Sequence, residues 1–270
     1  MSFDPIKRTW RHLKDRWPIA LWFRFKTSKN AKWHRMRGLL QGRAAAVRAQ
    51  TNAGGPARTP TCNVCGFVST EGRIRICPSC QTNQRQRSFK QLLTETLEPN
   101  LFAQGTWRDA LLLSPGAVER ALLAMKFKRH IVSSLHQVLP GNNFVRADIV
   151  DLAPFADGSF DFVEACNVLD YVPKMERAIQ SVYRVIRPKG AFVFLIPEHN
   201  LADGNAEIRV STRESVTGSY WPDRGAVPAV SVGRLTLMKM LTRTGFEAEE
   251  VRLIEPLSAM QCTWWICRRW

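Results

Sequence analysis

The stretch from Arg146 to Pro197 constrains the fold most, because a strand, a helix and a second strand follow one another within it. Residues 160–166 (FDFVEAC) are apolar and of strand length, and residues 191–196 form a second run of this kind. Between these runs, apolar side chains recur at the three-to-four spacing of one helical face: Met175, Ala178, Ile179, Val182, Tyr183 and Ile186. Pro173 precedes this helix, and Pro188-Lys189-Gly190 is expected to end it. A strand–helix–strand unit of this kind predicts two parallel strands.

Motifs follow one another through this stretch in a fixed order: Asp148, Leu152-x-Pro154-Phe155, Asp157-x-Ser159-Phe160-Asp161, Asn167-Val168-Leu169-x-Tyr171-Val172 and Tyr183 to Gly190 (YRVIRPKG). In this order they resemble the central segment of the class I S-adenosylmethionine-dependent methyltransferases of the "methyltransferase domain 11" kind. The resemblance implies a Rossmann-like α/β fold with about seven mostly parallel strands. It says almost nothing about the substrate.

The sequence of 270 residues divides into four parts: a basic, aromatic-rich extension (1–50), a Gly/Pro-rich linker (51–60), a cysteine ribbon with a helix (61–100) and the methyltransferase-like domain (101–270). The apolar run from Pro18 to Phe23 is too short to span a bilayer, and no signal-peptide pattern follows it. We therefore expect a cytoplasmic protein, with peripheral attachment to the inner membrane face as a further expectation.

The N-terminal fifty residues hold most of the positive charge. They contain 13 Lys and Arg against 2 Asp and Glu, a net charge of +11 out of +16 for the chain, and six Trp and Phe side chains lie between the basic residues from Trp10 onward. Such a segment binds an anionic partner, which composition leaves open as a membrane surface, a nucleic acid or a protein complex. The alternative is an extension that packs its aromatic side chains on the body. The oligomeric state is not predicted.

Two C-x-x-C pairs, Cys62/Cys65 and Cys77/Cys80, are separated by eleven residues. Four thiolates on two tight turns can hold one structural zinc ion, with an iron–sulfur cluster as the rival occupant. Residues 84–97 (QRQRSFKQLLTETL) then predict a helix. Ribbon and helix together resemble the N-terminal part of some bacterial methyltransferases, among them sugar methyltransferases, and the ribbon resembles that of a zinc-bearing ribosomal-RNA methyltransferase family.

The resemblance also implies a cofactor site. Ser114-Pro115-Gly116 follows the predicted first strand (109–113), where most family members have a Gly-rich turn and some ribbon-bearing relatives have Ala-Pro-Glu. Ser134 ends the predicted second strand (130–134), where the family usually has an acid that binds the ribose. Asp148, followed by Ile149, matches the adenine-side acid, and a turn cap is its alternative role. Asn167 is expected on the cofactor edge of the fourth strand.

Proton acceptors for catalysis are expected beyond the fourth and fifth strands. The candidates are Asp170, Tyr171 and His199, with Glu198 beside the histidine. The polar stretch 201–230 has no sustained period, and its length predicts a substrate lid. A helix over 232–244 closed by Gly245, and strands over 246–254 and 261–268, complete the predicted domain.

Three functions follow from these patterns. The first is an S-adenosylmethionine-dependent methyltransferase acting on oxygen or nitrogen of a polar acceptor, such as a sugar or a lipid-linked glycan. The second is an RNA methyltransferase that holds its substrate with the ribbon and the basic extension. The third is a pseudoenzyme, a methyltransferase-like scaffold that docks to a complex, membrane or ribosome, because the usual cofactor-binding acids are missing from the first two strands.

Overall fold

The computed structural model describes residues 59–104, 107–135, 143–214 and 226–270. The predicted basic extension 1–50 and residues 51–58 of the linker lie outside the described residues. Within the described part, residues 59–90 together with Pro256–Ala259 form one compact unit. Gln91–Glu255 and Met260–Trp270 form a second unit.

The first unit contains the two cysteine turns and most of helix α1 (Gln84–Leu92). Asn83 and Gln86 form a capping box at the start of α1, because each side chain accepts a hydrogen bond from the backbone N–H of the other residue. A π-helical turn, Leu93–Leu97, continues the helix, so the helix predicted over 84–97 is present.

The second unit is built on a seven-stranded sheet. Its strands are β1 (Asp109–Leu113), β2 (Arg129–Ser133), β3 (Phe144–Val145), β4 (Phe160–Cys166), β5 (Ile186–Leu195), β9 (Phe246–Ile254) and β10 (Gln261–Arg269). They lie in the order β3-β2-β1-β4-β5-β10-β9, and all pairs are parallel except the two that involve β10. This is the class I methyltransferase arrangement, and the predicted fold class is confirmed.

Helix α2 (Ala117–Ala124) follows β1, and helix α3 (Met175–Val185) connects β4 to β5 in the predicted parallel unit. The predicted end of α3 is wrong in one respect. The helix ends at Val185, and β5 already begins at Ile186, so Pro188-Lys189-Gly190 lies within a strand. Ile186 pairs with Phe160 ahead of a register shift. A side chain at Gly190 would meet the backbone oxygen of Asp161 at 2.8 Å, so only glycine allows this close approach.

Two arginines of the YRVIRPKG motif hold the β4–α3–β5 unit together. Arg184 donates hydrogen bonds to the backbone carbonyls of Asp151, Leu152 and Phe155 at 2.8–3.1 Å. Arg187 forms ion pairs with Asp161 and Asp109 at 2.8 and 2.9 Å. The motif therefore has a structural role. Arg184 ties the end of α3 to the turns before β4, and Arg187 ties the start of β5 to β1 and β4.

The stretch predicted as an irregular lid contains three strands instead. These are β6 (Leu201–Ala202), β7 (Arg209–Glu214) and β8 (Ala226–Gly233), which form a separate sheet in the order β6-β8-β7. These strands could not be predicted from periodicity, because β7 is polar and its partner β8 follows only after eleven further residues. Helix α4 (Arg234–Thr244) follows and ends at Gly245, as predicted. No helix in the described ranges is long and apolar enough to cross a membrane.

Candidate cofactor site and metal centre

The strand order reverses between β1 and β4. The chain moves outward from β1 to β2 and β3, and then returns to the other side of β1 with β4 and β5. In open α/β sheets, ligands bind outside the carboxyl ends of the strands at such a switch point. The segments that follow β1, β2, β3 and β4 carry the residues predicted to bind a cofactor.

The structure brings Ser114 and Ser134 together. Ser114, directly after β1, has a positive φ of 50°, and its backbone N–H donates to the carbonyl of Ser133 at 2.7 Å. The hydroxyls of Ser114 and Ser134 lie 3.2 Å apart. Pro115 and Gly116 continue the turn into α2, which begins at Ala117. Gly116 is the N-cap and has no side chain, so it makes no side-chain capping hydrogen bond to the first backbone N–H groups.

Asp148 follows β3 and has one structural bond. Its Oδ1 accepts a hydrogen bond from the backbone N–H of Val150 at 2.9 Å, in the manner of an Asx turn. The other carboxylate oxygen has no partner within the described ranges. Both predicted roles, turn cap and ligand acceptor, are therefore compatible with the geometry. Ile149 is buried, and its carbonyl accepts a hydrogen bond from the Ser181 hydroxyl.

Two buried oxygen atoms at this edge lack a hydrogen-bond partner among the described residues: Oγ of Ser133 and Oδ1 of Asn167. Asn167 follows β4 with a positive φ of 55°. Buried polar atoms are nearly always satisfied, so two such atoms beside the switch point fit a polar ligand that completes them. Together with the hydroxyl of Ser134 and the carboxylate of Asp148, they suit the hydroxyls and amino groups of S-adenosylmethionine. Sequence pattern alone does not single out Ser133, although it adjoins Ser134.

The catalytic candidates lie on two short 3₁₀ turns. Asp170 and Tyr171 belong to Leu169–Tyr171 after β4, and His199 belongs to Glu198–Asn200 after β5. Strand β8 packs against both turns, so the two turns share one neighbouring strand. Asp170 is buried, Tyr171 is half-buried and His199 is exposed.

Glu198 is held by an ion pair and by hydrogen bonds. Its carboxylate binds the Arg234 guanidinium and accepts hydrogen bonds from the side chains of Thr263 and Gln261. Burial alone would raise the pKa of Glu198, but these donors hold it below its ordinary value. Glu198 is therefore a weaker base than a solvated glutamate, and it orders the turn that carries His199.

The four predicted cysteines lie together. All four Sγ atoms are within 4.8 Å of one another, and the Cys62–Cys80 and Cys65–Cys77 sulfur pairs are 3.7 and 3.5 Å apart. Tetrahedral zinc with Zn–S bonds of about 2.3 Å requires sulfur atoms about 3.8 Å apart. A disulfide would need about 2.05 Å. Iron–sulfur clusters are larger than a single ion, so their ligands lie farther apart.

The cysteine thiols also share their protons unequally. Hydrogen bonds with Cys65 and then Cys80 lower the pKa of Cys62 below its ordinary value, whereas the bond to Cys62 raises the pKa of Cys80. A cluster with one favoured thiolate is ready to receive a cation in place of the remaining protons.

Residues 110–194 of the chain match the methyltransferase domain family Methyltransf_11. This segment is a methyltransferase domain of that family. The resemblance drawn from the ordered motifs is thereby confirmed. The matched segment begins in β1, ends in β5, and contains the switch point and every residue predicted to bind the cofactor.

Curated relatives match a stretch of 72 residues of the chain. Phthiotriol/phenolphthiotriol dimycocerosates methyltransferase 1 of Mycobacterium ulcerans (strain Agy99) is 38% identical over 72 residues, and the corresponding enzyme of Mycobacterium tuberculosis (strain ATCC 25618 / H37Rv) is 39% identical over 72 residues. The alignment covers 26% of this chain and 26% of each relative. The match thus spans about a quarter of the length of these relatives.

Solved structures of similar architecture include an N1-methyltransferase for 1,6-didemethyltoxoflavin from Burkholderia thailandensis with bound S-adenosylhomocysteine (13% identity, TM-score 0.45) and the N-methyltransferase NodS from Bradyrhizobium japonicum with S-adenosylhomocysteine (20% identity, TM-score 0.42). Each alignment covers 69% of this chain and 87% of the other. Because the TM-scores are below 0.5, the fold assignment rests on the strand order and pairing.

Proposed function

We propose that this protein is an S-adenosylmethionine-dependent methyltransferase that modifies oxygen or nitrogen of a polar acceptor. The observation that carries the proposal is the pair of unsatisfied oxygens, on Ser133 and Asn167, beside the switch point of a methyltransferase domain. S-adenosylmethionine supplies an electrophilic methyl group when it is bound. The protein's own contribution is to bind and orient the two reactants, which can supply much of the rate enhancement.

Each residue of the switch point has a distinct part in this proposal. The backbone of Ser114-Pro115-Gly116 and the hydroxyl of Ser134 bind the polar ends of the cofactor. The outer oxygen of Asp148 accepts hydrogen bonds from its adenine side, and Asn167 marks the edge next to the acceptor. Asp170, Tyr171 and His199 are the candidate acceptors of the proton that the attacking oxygen or nitrogen loses.

A groove at the start of α3 supports a polar acceptor. It has a volume of about 600 Å³ and is lined by residues that include Lys174, Arg177, Gln180 and Ile208. The groove adjoins the segment that carries Asp170 and Tyr171. Its lining combines polar side chains with apolar ones: Lys174, Glu176, Arg177 and Gln180 beside Pro173, Met175 and Ile208. We propose that this groove receives the acceptor, a sugar or a lipid-linked glycan. The lipid-modifying names of the mycobacterial relatives support a lipid-linked form.

Calorimetric titration of S-adenosylmethionine and S-adenosylhomocysteine into the full chain tests the cofactor proposal. We expect a Kd tighter than about 100 µM, equivalent to about −5.5 kcal/mol. The Asp148→Asn variant should bind about tenfold more weakly, because it loses a charge-assisted acceptor. Asp151→Asn is the matched control, since Asp151 makes the same kind of turn bond, to the N–H of Ala153 at 3.1 Å. Absence of binding would overturn the proposal and favour the scaffold.

We propose further that Cys62, Cys65, Cys77 and Cys80 hold one structural zinc ion. The spacing of their sulfur atoms supports a single tetrahedral ion. Elemental analysis of the purified protein should give about one zinc per chain. Iron with inorganic sulfide would overturn the assignment.

The segment 1–50, with its net charge of +11, is proposed to bind an anionic partner. Retention on RNA that falls steeply with salt, and is lost on deletion of residues 1–50, would favour the RNA methyltransferase. Retention on anionic lipid vesicles would instead favour a membrane-attached enzyme. Binding to neither would remove the proposed partner.

A further inference from the structure

One hydroxyl contacts sulfur atoms of both cysteine pairs. Oγ1 of Thr82 lies 3.0 Å from Sγ of Cys80 and 3.7 Å from Sγ of Cys62. Thr82 is 3% exposed, so water does not compete effectively for these contacts. A threonine hydroxyl can donate one hydrogen bond, and a thiolate is a good acceptor for it.

The backbone of Thr82 is fixed on its other side. Its carbonyl accepts a hydrogen bond from the N–H of Cys77 at 2.9 Å and a second from Nη1 of Arg87. Arg87 is fully buried, and its Nη2 donates to the carbonyl of Arg75 at 2.9 Å. The guanidinium therefore joins the chain before Cys77 to the chain after Cys80.

We propose that Thr82 is the outer-sphere hydrogen-bond donor of the metal centre and that Arg87 is a positioning residue that holds it in place. This inference rests on the proposed zinc site. Four thiolates around a divalent cation carry a net charge of −2. A hydroxyl donor and a buried guanidinium nearby offset that charge and orient the ligands.

A simpler role for Thr82 is that of a buried side chain that satisfies its own hydroxyl. The two roles differ in what they predict for metal binding. If Thr82 only fills space, an isosteric valine preserves the zinc affinity. If Thr82 donates to the thiolates, valine removes that hydrogen bond and the zinc affinity falls.

Competition with a chromophoric chelator measures the zinc affinity of the full chain. We expect Thr82→Val to weaken zinc binding by about 10- to 100-fold and Thr82→Ser to restore most of the affinity. Thr82→Ala compared with Thr82→Ser gives a second test, because both variants lack the methyl group and differ only in the hydroxyl. The cobalt-substituted protein should show a shifted thiolate-to-metal charge-transfer band in Thr82→Val and an unshifted band in Thr82→Ser.

The role of Arg87 is tested by Arg87→Lys, which keeps the charge and loses the two-pronged donor. We expect a smaller loss of zinc affinity, of about three- to tenfold. Arg75→Lys is the control, since it alters an exposed side chain and keeps the carbonyl that Arg87 binds. Wild-type affinity in both Thr82→Val and Thr82→Ala would overturn this inference alone. Failure of the wild type to bind zinc would overturn it together with the proposed zinc site.

Discussion

Asp161 shows how one side chain of a family-like motif stabilises the sheet. Its Oδ2 accepts hydrogen bonds from the backbone N–H groups of Arg108 and Asp109 at 2.8 and 2.9 Å, and its Oδ1 pairs with Arg187. Burial alone would raise the pKa of this carboxyl, but the Arg187 guanidinium and the two N–H groups hold it below its ordinary value. Asp161 thus joins the starts of β1 and β4 to the start of β5.

Replacing Asp161 with Asn should lower the free energy of unfolding by about 1.5–3 kcal/mol at pH 7, because charge-assisted bonds are lost. A carboxyl whose pKa is lower in the folded state stabilises the fold at pH values above its unfolded-state pKa of about 3.9. The stabilisation disappears as the pH falls through the folded-state pKa, so wild type and variant should converge in acid. Urea unfolding between pH 7 and pH 3 measures this difference.

Asp157→Asn is the control for this measurement. The side chain of Asp157 pairs with Arg184 at 2.7 Å but is 79% exposed, so its loss should cost about 1 kcal/mol or less. A difference between wild type and Asp161→Asn that is the same at every pH would contradict the electrostatic explanation.

At the scale of elements, the sequence predicted those helices and strands that are determined by local periodicity. The α3 face, the cap at Gly245 and strands β4, β9 and β10 follow from periodicity and from glycine signals in the sequence. The sheet of β6, β7 and β8 does not, because β7 and β8 form only by pairing with each other across the interval from 215 to 225. The start of β5 was also missed, since it depends on the pairing of Ile186 with Phe160.

Two separate features of the structure require glycine at position 245, where α4 ends. Its φ of 108° is unfavourable for any other residue, and a side chain there would meet the ring of Tyr183 at 2.8–3.1 Å. We expect Gly245→Ala to lower the free energy of unfolding by about 2–5 kcal/mol, the sum of backbone strain and overpacking. Thermal and urea unfolding measure the loss.

Gly204 is the matched control for this variant. It also has a positive φ, of 73°, but a side chain there would meet nothing within 4 Å. Gly204→Ala should therefore cost only the backbone strain, about 1–2 kcal/mol. Equal losses in the two variants would show that the Tyr183 contact contributes nothing.

At the scale of the whole molecule, sequence motifs predicted the residues of both candidate sites. They did not predict the neighbouring residues that contact or complete those sites. The cysteines were found because ligand spacing is local, and Ser114, Asp148 and Asn167 because the family motifs follow the chain. Thr82 carries no such signal, since its part depends on contacts with two cysteine pairs. The unsatisfied oxygens of Ser133 and Asn167 likewise emerge only when burial is known.

The two units should respond differently to removal of the metal. The hydrophobic cluster around the cysteines of the first unit consists of Cys62, Cys65, Cys77 and Leu257, with a few partly buried neighbours. So small a cluster rarely holds two cysteine turns in place without a metal or a disulfide. The second unit has a large core that draws on β1, β4, β5, α3 and α4.

Chelation should therefore increase hydrogen exchange in the first unit and leave the central strands of the second unit protected. The amides of Cys62, Gly66, Cys77 and Gln81, which bond to carbonyls within the ribbon, are the reporters, and mass spectrometry of the full chain measures them. Cys77→Ser should reproduce the effect without a chelator, whereas Cys262→Ser, at a buried cysteine outside the cluster, should not. Retained protection in the ribbon after complete metal removal would show that the thiols and Leu257 suffice without an ion.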